Sequence, residues 1–367
     1  MITRRASRQI HIGPVAVGGG APVSIQSMTN TRTADVRATV EQIQSLARAG
    51  CEIARVAVPD QAAAKALREI VRESPLPVIA DIHFDHRLAL EALQAGVAGL
   101  RINPGNVGRR QHVEKVVRAA RERRVPIRIG VNAGSLEKPL LAKVHAGEVL
   151  LHEAMVESAM GHVGILDDLD FRDIKISLKA SDVVATVEAY RLLAKRCDYP
   201  FHVGITEAGT LRSGTVKSCA WIGILLMDGL CDTIRVSLTA APEEEVRVAR
   251  HLLQAMGERR DEPVLISCPT CGRTTIDVIS LAEQVERMLE TVHEPIQVAV
   301  MGCEVNGPGE AREADLGVAG GAGKGFFFRK GEIVRRCAED EILAVFAEEL
   351  QSLLAERREK KVLSAEC

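Results

Sequence analysis

The chain has 367 residues, 46% of them apolar, enough to bury the cores of two domains or of one barrel with a small module. Its 47 basic and 49 acidic residues leave a formal charge of −2, which excludes an overall field for nucleic acid or an anionic membrane, so any anion binding has to be local. No membrane-spanning apolar run occurs, and the basic start Met1-Ile2-Thr3-Arg4-Arg5 has no apolar stretch of a signal peptide behind it, so a cytoplasmic protein is expected. Aromatic residues make up 3%, so the cores must be built from Ala, Val, Ile and Leu, as in parallel sheets covered by helices. Residues 9–13 and 15–20 predict a short hairpin ahead of the main fold, a plug or lid on one end. The first helix then has Val36, Val40, Ile43 and Ala47 on one face, Thr33 or Asp35 as cap, and Gly50 just past its end.

From there β-rich apolar runs alternate with helical patterns. Strands are predicted at 23–26, 53–56, 78–81, 99–102, 127–131, 174–178, 201–205 and 233–236. The polar residues near their ends, Gln26, Arg55, Asp81, Arg101, Arg128, Lys179, Glu207 and Arg235, recur at the spacing of one βα unit. The long interval between Arg128 and Lys179 holds an elaborated loop and an extra helical stretch around 149–160. Ala49-Gly50 and Ala95-Gly96 each precede an arginine at the same offset, a faint internal repeat. Eight such units define a (β/α)8 barrel over residues 1–260, with a doubly wound open sheet as the alternative. The charged, turn-forming stretch around 257–263 ends it. Residues 261–367 read as strand 264–267, helix 277–289, strand 296–301, a hairpin and a last helix with Ile342, Val345, Phe346, Leu350 and Leu353 inward: a small α+β module. Gly317-Val318-Ala319-Gly320-Gly321-Ala322-Gly323-Lys324-Gly325 fails as a phosphate-binding P-loop, because Gly325 stands where Ser or Thr is required. It reads as a loop before the hairpin of Phe326-Phe327-Phe328 and Ile333-Val334.

The nine cysteines lack disulfide-framework spacing, which suits reduced thiols. Three of them stand in chemically informative places: Cys268 and Cys271 in Ser267-Cys268-Pro269-Thr270-Cys271-Gly272-Arg273, and Cys303 in Met301-Gly302-Cys303-Glu304-Val305-Asn306-Gly307-Pro308-Gly309-Glu310. A fourth cysteine in ligand spacing is missing. A structural zinc site wants a closed set of four strong ligands, whereas a catalytic metal needs a weak or open position. Three thiolates suit a four-iron cluster with one replaceable site, and Glu310, a harder donor, is the candidate for that position.

In a (β/α)8 barrel the site lies at the C-terminal ends of the strands. Those ends carry Arg55, Arg101, Arg128, Lys179 and Arg235, with Asn103, Asn132 and Ser237 two to four residues on. Guanidinium forks with amides are what a di- or polyphosphate needs. At the same level Glu207 is the candidate proton donor, since like charge and desolvation raise a carboxyl's pKa. His83 reads as a packing or positioning residue, and Asp81 as a partner of one of the arginines.

The two cysteine motifs, together with Arg101-Ile-Asn-Pro-Gly-Asn106, Arg128-Ile-Gly-Val-Asn-Ala-Gly-Ser135, Ser177-Leu-Lys-Ala-Ser181 and Gly204-Ile-Thr-Glu-Ala-Gly209, make the chain resemble the bacterial 4-hydroxy-3-methylbut-2-enyl diphosphate synthases of the methylerythritol phosphate route to isoprenoids. The resemblance covers essentially the whole length and shows no departure at these positions. It implies that Cys268, Cys271, Cys303 and Glu310 bind a [4Fe-4S] cluster, and that the substrate is 2-C-methyl-D-erythritol 2,4-cyclodiphosphate. It also implies reduction to 4-hydroxy-3-methylbut-2-enyl diphosphate with flavodoxin or ferredoxin as electron donor. Plant-type members carry a large extra domain for which this chain has no room. Two other readings stay open on the residues alone: a sugar-phosphate barrel with a structural zinc module, and a non-enzymatic iron–sulfur redox sensor.

Chain geometry adds an expectation about assembly. Barrel helices run back toward the N-terminal face, so the linker near 257–263 leaves at the end opposite the site. Half a dozen residues at about 3.3–3.6 Å each could barely span a barrel. A two-fold homodimer in which each cluster module caps the partner's barrel meets the geometry, and the resemblance implies the same arrangement.

Overall fold

The computed structural model describes residues 2–103, 109–205, 208–260, 262–292, 294–303 and 311–365. The chain divides into two compact units, one ending at Glu258 and one beginning at Arg259.

The first unit is a parallel barrel. Its eight strands are β3 (Ser24–Met28), β4 (Ile53–Ala57), β5 (Val78–Asp81), β6 (Gly99–Ile102), β7 (Ile127–Asn132), β8 (Ile174–Lys179), β9 (His202–Val203) and β10 (Thr233–Ile234), which pair in the order β8-β7-β6-β5-β4-β3-β10-β9. A parallel bridge between Ile176 and Phe201, with the Ile176 N–H donating to Pro200 O at 3.0 Å, joins the two ends of that order. The helices between strands are α1 (Val36–Arg48), α2 (Gln61–Glu73), α3 (His86–Ala95), α4 (Arg110–Arg123), α5 (Lys138–His145), α6 (Leu151–Asp167), α7 (Val183–Ala194), α8 (Leu211–Met227) and α9 (Pro242–Ala255). The stretch between β7 and β8 therefore holds two helices rather than one.

Helix starts in this unit repeat one device. Asp35, Asp60, Asp85 and Asp182 each precede a helix and accept a backbone N–H of its first turn, satisfying a donor that has no partner inside the helix. Asp35 is the cap of α1; Thr33 instead donates its hydroxyl to Ala57 O at the end of β4. The buried face of α1 is Thr39, Val40, Ile43 and Leu46, one position off Ala47, because Leu46 offers the larger apolar surface.

Alternation along each strand sends apolar residues outward to the helices. Ile25, Val56, Ala80, Leu100, Ile129 and Ile176 all join one continuous core with helix residues such as Ile43, Leu67, Leu93 and Val117. The other face of the strands points into the barrel. At its N-terminal end the hairpin of β1 (Ile10–Ile12) and β2 (Val15–Val17) packs Ile10, Ile12 and Val17 on Ile53 and Ile79, the inward residues at the starts of β4 and β5. The hairpin is thus a plug, on the face away from the strand ends that carry the cations.

The second unit is a five-stranded mixed sheet in the order β11 (Val264–Ser267), β12 (Gln297–Met301), β13 (Leu316–Gly321), β14 (Lys324–Arg329), β15 (Glu332–Ala338). The first three strands are parallel and the last two antiparallel. Helices α10 (Val278–Leu289) and α11 (Ile342–Ala365) bury Val285, Leu289, Val345 and Phe346 against Val298, Val300, Val318 and Phe327. The five residues expected inward on the last helix are all buried.

One expectation fails here. Residues 317–321 are not loop but strand β13, with only Ala322 and Gly323 at the turn into β14. The glycines read as loop because they carry no side chain, and they carry none because neighbours fill the space. A Cβ on Gly317 would lie 2.2 Å from the Phe328 ring, and one on Gly320 would lie 2.6 Å from Ile276.

Candidate active site

The register of the barrel brings the cations named above into one belt. Arg101 on β6 sits level with Arg128 on β7, Asn132 with Lys179 on β8, and Asp81 with Arg101. Period two then points Arg55, Asp81, Arg101, Arg128 and Lys179 to the inside, and all five are buried, as is Asn103; Arg235, Asn132 and Ser237 are partly exposed. The volume that Val, Ile and Leu layers normally fill in such a barrel is here lined with charge.

Asp81 ties two of the cations together. Arg101 donates to one carboxylate oxygen at 3.2 Å and Arg55 Nε lies 3.6 Å from the other. Burial alone would raise its pKa, but Arg55, Arg101 and Arg128 outweigh that and hold Asp81 below the usual carboxylate range. Arg101 also contacts the His83 ring at 3.0 Å, which requires a neutral ring nitrogen as acceptor; burial and then Arg101 itself lower the His83 pKa, in keeping with that state. Gly130 makes this arrangement possible, since a Cβ there would stand 3.0 Å from Arg101 Nε.

Arg128 donates to Ser177 Oγ at 3.1 Å, and Arg55 sits 3.0 Å from Met28 Sδ, a weak acceptor. Arg235 reaches Glu245 at 3.4 Å. Burial, then the like charge of Arg235, lowers Arg55 to about 9 against the opposing pull of Asp81. Burial, and then the like charge of Arg128, hold Lys179 well below the ordinary lysine value. Arg101 Nε, Arg128 Nη1, Arg235 Nε, Asn103 Oδ1 and Ser237 Oγ are buried atoms with no hydrogen-bond partner among the described residues. A belt of four guanidiniums and the Lys179 amine, set against Asp81 and Glu245 with donors still free, can receive a polyanion.

Sequence reasoning missed three residues of this interior. Glu245, in the first turn of α9, accepts from Ser27 Oγ, from the Leu238 N–H and from Arg235, so it anchors the last cation of the belt. Its signal was the run Pro242-Glu243-Glu244-Glu245 at a helix start, which reads equally as helix capping. Lys175 and His202 lie deeper. The alternation Ile174-Lys175-Ile176-Ser177-Leu178-Lys179 signals a polar face, but in sequence a polar face reads as solvent. Glu207 falls on residues outside the described ones, as does Glu310.

In the second unit the parallel register places Ser267 beside Val300, so Cys268 leaves β11 next to the end of β12. There the Gly302 N–H donates to Cys268 Sγ at 3.1 Å. The turn carrying Cys271 closes with the Thr274 N–H donating to Cys271 O and the Cys271 N–H to Thr274 Oγ1. The Thr275 N–H then donates to Gly302 O at 2.9 Å, and a Cβ on Gly302 would meet the Thr274 methyl at 2.9 Å. Both cysteine segments are thereby fastened to Gly302, one residue before Cys303. Cys303 is buried, Cys268 half-buried and Cys271 exposed, and all three are free thiols. A backbone hydrogen bond from Arg273 lowers the Cys271 pKa toward the thiolate that a metal needs. Among the described residues no three His, Cys, Asp or Glu side chains already stand at metal-holding separation. Three thiols at two strand ends, one already accepting a backbone N–H, nonetheless form a donor set that fits an iron–sulfur cluster and lacks the fourth thiol of a closed zinc site.

Barrel and cysteine sheet together define a class: a TIM-barrel enzyme of phosphorylated substrates joined to a thiol-bearing module. The chain belongs to the GcpE family: the GcpE TIM-barrel domain matches residues 7–250 and the GcpE protein C-terminal domain residues 264–352. It is 60% identical to the 4-hydroxy-3-methylbut-2-en-1-yl diphosphate synthase (flavodoxin) of Geobacter sulfurreducens, over 96% of this chain and 99% of that one. Proteins of the same name from Desulfotalea psychrophila and Geobacillus kaustophilus are 55% and 54% identical, over 98% and 97% of this chain and 99% and 94% of theirs.

Proposed function

We propose that this protein is the oxidoreductase that opens 2-C-methyl-D-erythritol 2,4-cyclodiphosphate and dehydrates it to 4-hydroxy-3-methylbut-2-enyl diphosphate in isoprenoid precursor biosynthesis. The observation that carries this reading is the inward belt of Arg55, Arg101, Arg128, Lys179 and Arg235 at the strand ends, a fit for a diphosphate, in a chain whose Cys268 and Cys271 segments are both fastened to Gly302 beside Cys303. The reaction takes up two electrons and two protons. The carbon–oxygen bond to the ring phosphate breaks, a hydroxyl leaves as water, and a double bond forms between the two carbons.

The belt holds the diphosphate, and Asn103, Asn132 and Ser237 add neutral hydrogen bonds that orient it. Asp81 keeps Arg55 and Arg101 at fixed separation, and Glu245 does the same for Arg235. Glu207 delivers a proton to the departing hydroxyl. The family is one of iron–sulfur enzymes. Cys268, Cys271 and Cys303, with Glu310 as the exchangeable fourth ligand, would hold a [4Fe-4S] cluster. Such a cluster, when bound, supplies electrons one at a time, so a one-electron carrier must feed it; the relatives' names specify flavodoxin, and ferredoxin is the other carrier of that kind. Helix α9 ends at Ala255 and β11 begins at Val264, a short connection from the plugged face of the barrel, which favours a homodimer whose sites are shared between chains. No described helix is long and apolar enough to cross a membrane, in keeping with work in the cytoplasm.

Anaerobically purified protein supplied with the cyclic diphosphate and reduced flavodoxin should release the linear hydroxymethylbutenyl diphosphate. Colourless, iron-free protein, or iron-loaded protein that binds the substrate and returns it unchanged, would overturn the reading.

A further inference from the structure

Toward the N-terminal end of β8, four residues before Lys179, and on the neighbouring β9, the barrel carries two more basic side chains that the reaction as described leaves without a role. Lys175 on β8 lies level with Arg128, and His202 on β9 lies level with Thr233. Their strand neighbours Ile174, Ile176, Phe201 and Val203 belong to the outer core, so the two bases point into the barrel. Lys175 is 2% exposed and His202 0%, and neither Lys175 Nζ nor either ring nitrogen of His202 has a hydrogen-bond partner among the described residues. Gln26, on β3, is a third buried side chain with both amide atoms unpartnered.

The titratable and charged groups that face Lys175 are Arg128, Arg55, Asp232 and, as its reciprocal, His202; those that face His202 are Arg128, Lys175, Lys179 and Arg55. The one acid, Asp232, is already committed. Its Oδ1 takes Arg4 at 2.9 Å and its Oδ2 accepts the Phe201 N–H at 2.8 Å. A buried cation with no counter-ion is expensive, so both bases are neutral as long as the belt above them is bare. Burial first, and then the charge of Arg128, push both well below their ordinary values.

We propose that Lys175 and His202 form a second tier of the active site, which takes up a proton when an anion fills the belt above it. The negative charge delivered to Arg128 offsets its repulsion of both bases and supplies the counter-charge that burial otherwise denies them. A proton from solvent then adds to a nitrogen lone pair, and no bond is broken in the ligand. Linkage makes the effect reciprocal, so protonation of the tier tightens the anion. The consequence for a reaction that consumes protons is that substrate binding draws one from solvent into the barrel. The inference rests on reading the belt as a diphosphate site.

Calorimetric titration of cluster-loaded protein, anaerobic and without reductant, in buffers of different ionisation enthalpy reads the protons taken up per ligand bound. The ligands are the cyclic diphosphate and inorganic pyrophosphate, whose own titration is common to every protein compared. Uptake should fall by about half or more in Lys175→Met or in His202→Gln, with affinity weakening more at pH 6 than at pH 9. A merely structural role would alter affinity without altering proton uptake. Uptake equal in wild type and in both variants overturns the proposal. Pyrophosphate that binds with proton uptake while the cyclic diphosphate does not bind upholds the tier and overturns the substrate reading instead.

Discussion

In the proposed cluster, three thiols and one carboxylate would not be equivalent ligands. Glu310 is a harder donor than iron in a sulfide cage prefers, so Glu310→Ala should keep much of the iron and its visible absorption while losing turnover. Cys303→Ser should lose the cluster or its four-iron form. Equal iron loss in the two, by anaerobic iron and sulfide analysis, would contradict an exchangeable fourth position. In the barrel, Arg101→Met removes a charge paired with Asp81, and Lys179→Met an amine level with Asn132 in the register; both belong to the proposed diphosphate site. Either should weaken substrate binding by about 2–4 kcal/mol while leaving the cluster spectrum unchanged. A parallel loss of iron would mean that these residues support folding.

At the scale of elements, β8 and β13 show what the sequence could and could not tell. The strand positions were legible because alternation places Ile174, Ile176 and Leu178 outward and because cations recur at strand ends at βα spacing. The belt residues were legible for the same reason, since Arg55, Arg101, Arg128, Lys179 and Arg235 fall at equivalent positions. Lys175 and His202 were not, because a polar residue in an alternating strand looks the same whether it meets water or a barrel interior. Strand β13 was hidden by the sizes of its neighbours, as only folding reveals that Phe328 and Ile276 occupy the space over Gly317 and Gly320. Gly317→Ala should therefore cost about 1–3 kcal/mol in unfolding of the whole chain, as overpacking does. Gly323→Ala, with positive φ and no atom within 4 Å of its Cβ, should cost about 1 kcal/mol from backbone strain alone. Urea unfolding of the two variants ranks them, and the reverse order would contradict the packing account. For Lys175 the sign of the pH effect follows from its direction. Its folded pKa lies well below the unfolded value of about 10.4, so between the two the unfolded chain binds the extra proton and stability rises with pH. Lys175→Met should be more stable than wild type at pH 7, by about 1–4 kcal/mol, with the gap closing toward pH 10. A gap that stays constant across that range would mean the lysine is charged in the folded state.

On the scale of the whole molecule, the proposed function assigns binding to the barrel and electron supply to the cysteine sheet, and the homodimer proposed with it draws them from different chains. The two functions can be disabled separately, Arg101→Met in the barrel and Cys303→Ser in the module. In an equal mixture of the two variants, reassociated from monomers, half of the dimers are mixed and each mixed dimer keeps one site intact. Anaerobic turnover of the cyclic diphosphate by that mixture is the most direct measurement. At substrate far below the dissociation constant of the Arg101→Met chain, the expected result is recovery to about a quarter of wild-type activity from two variants that each show little or none alone. Absence of any recovery, with mixed dimers demonstrably formed and iron retained on the Arg101→Met chain, would contradict the division of labour between one chain's barrel and its partner's thiols.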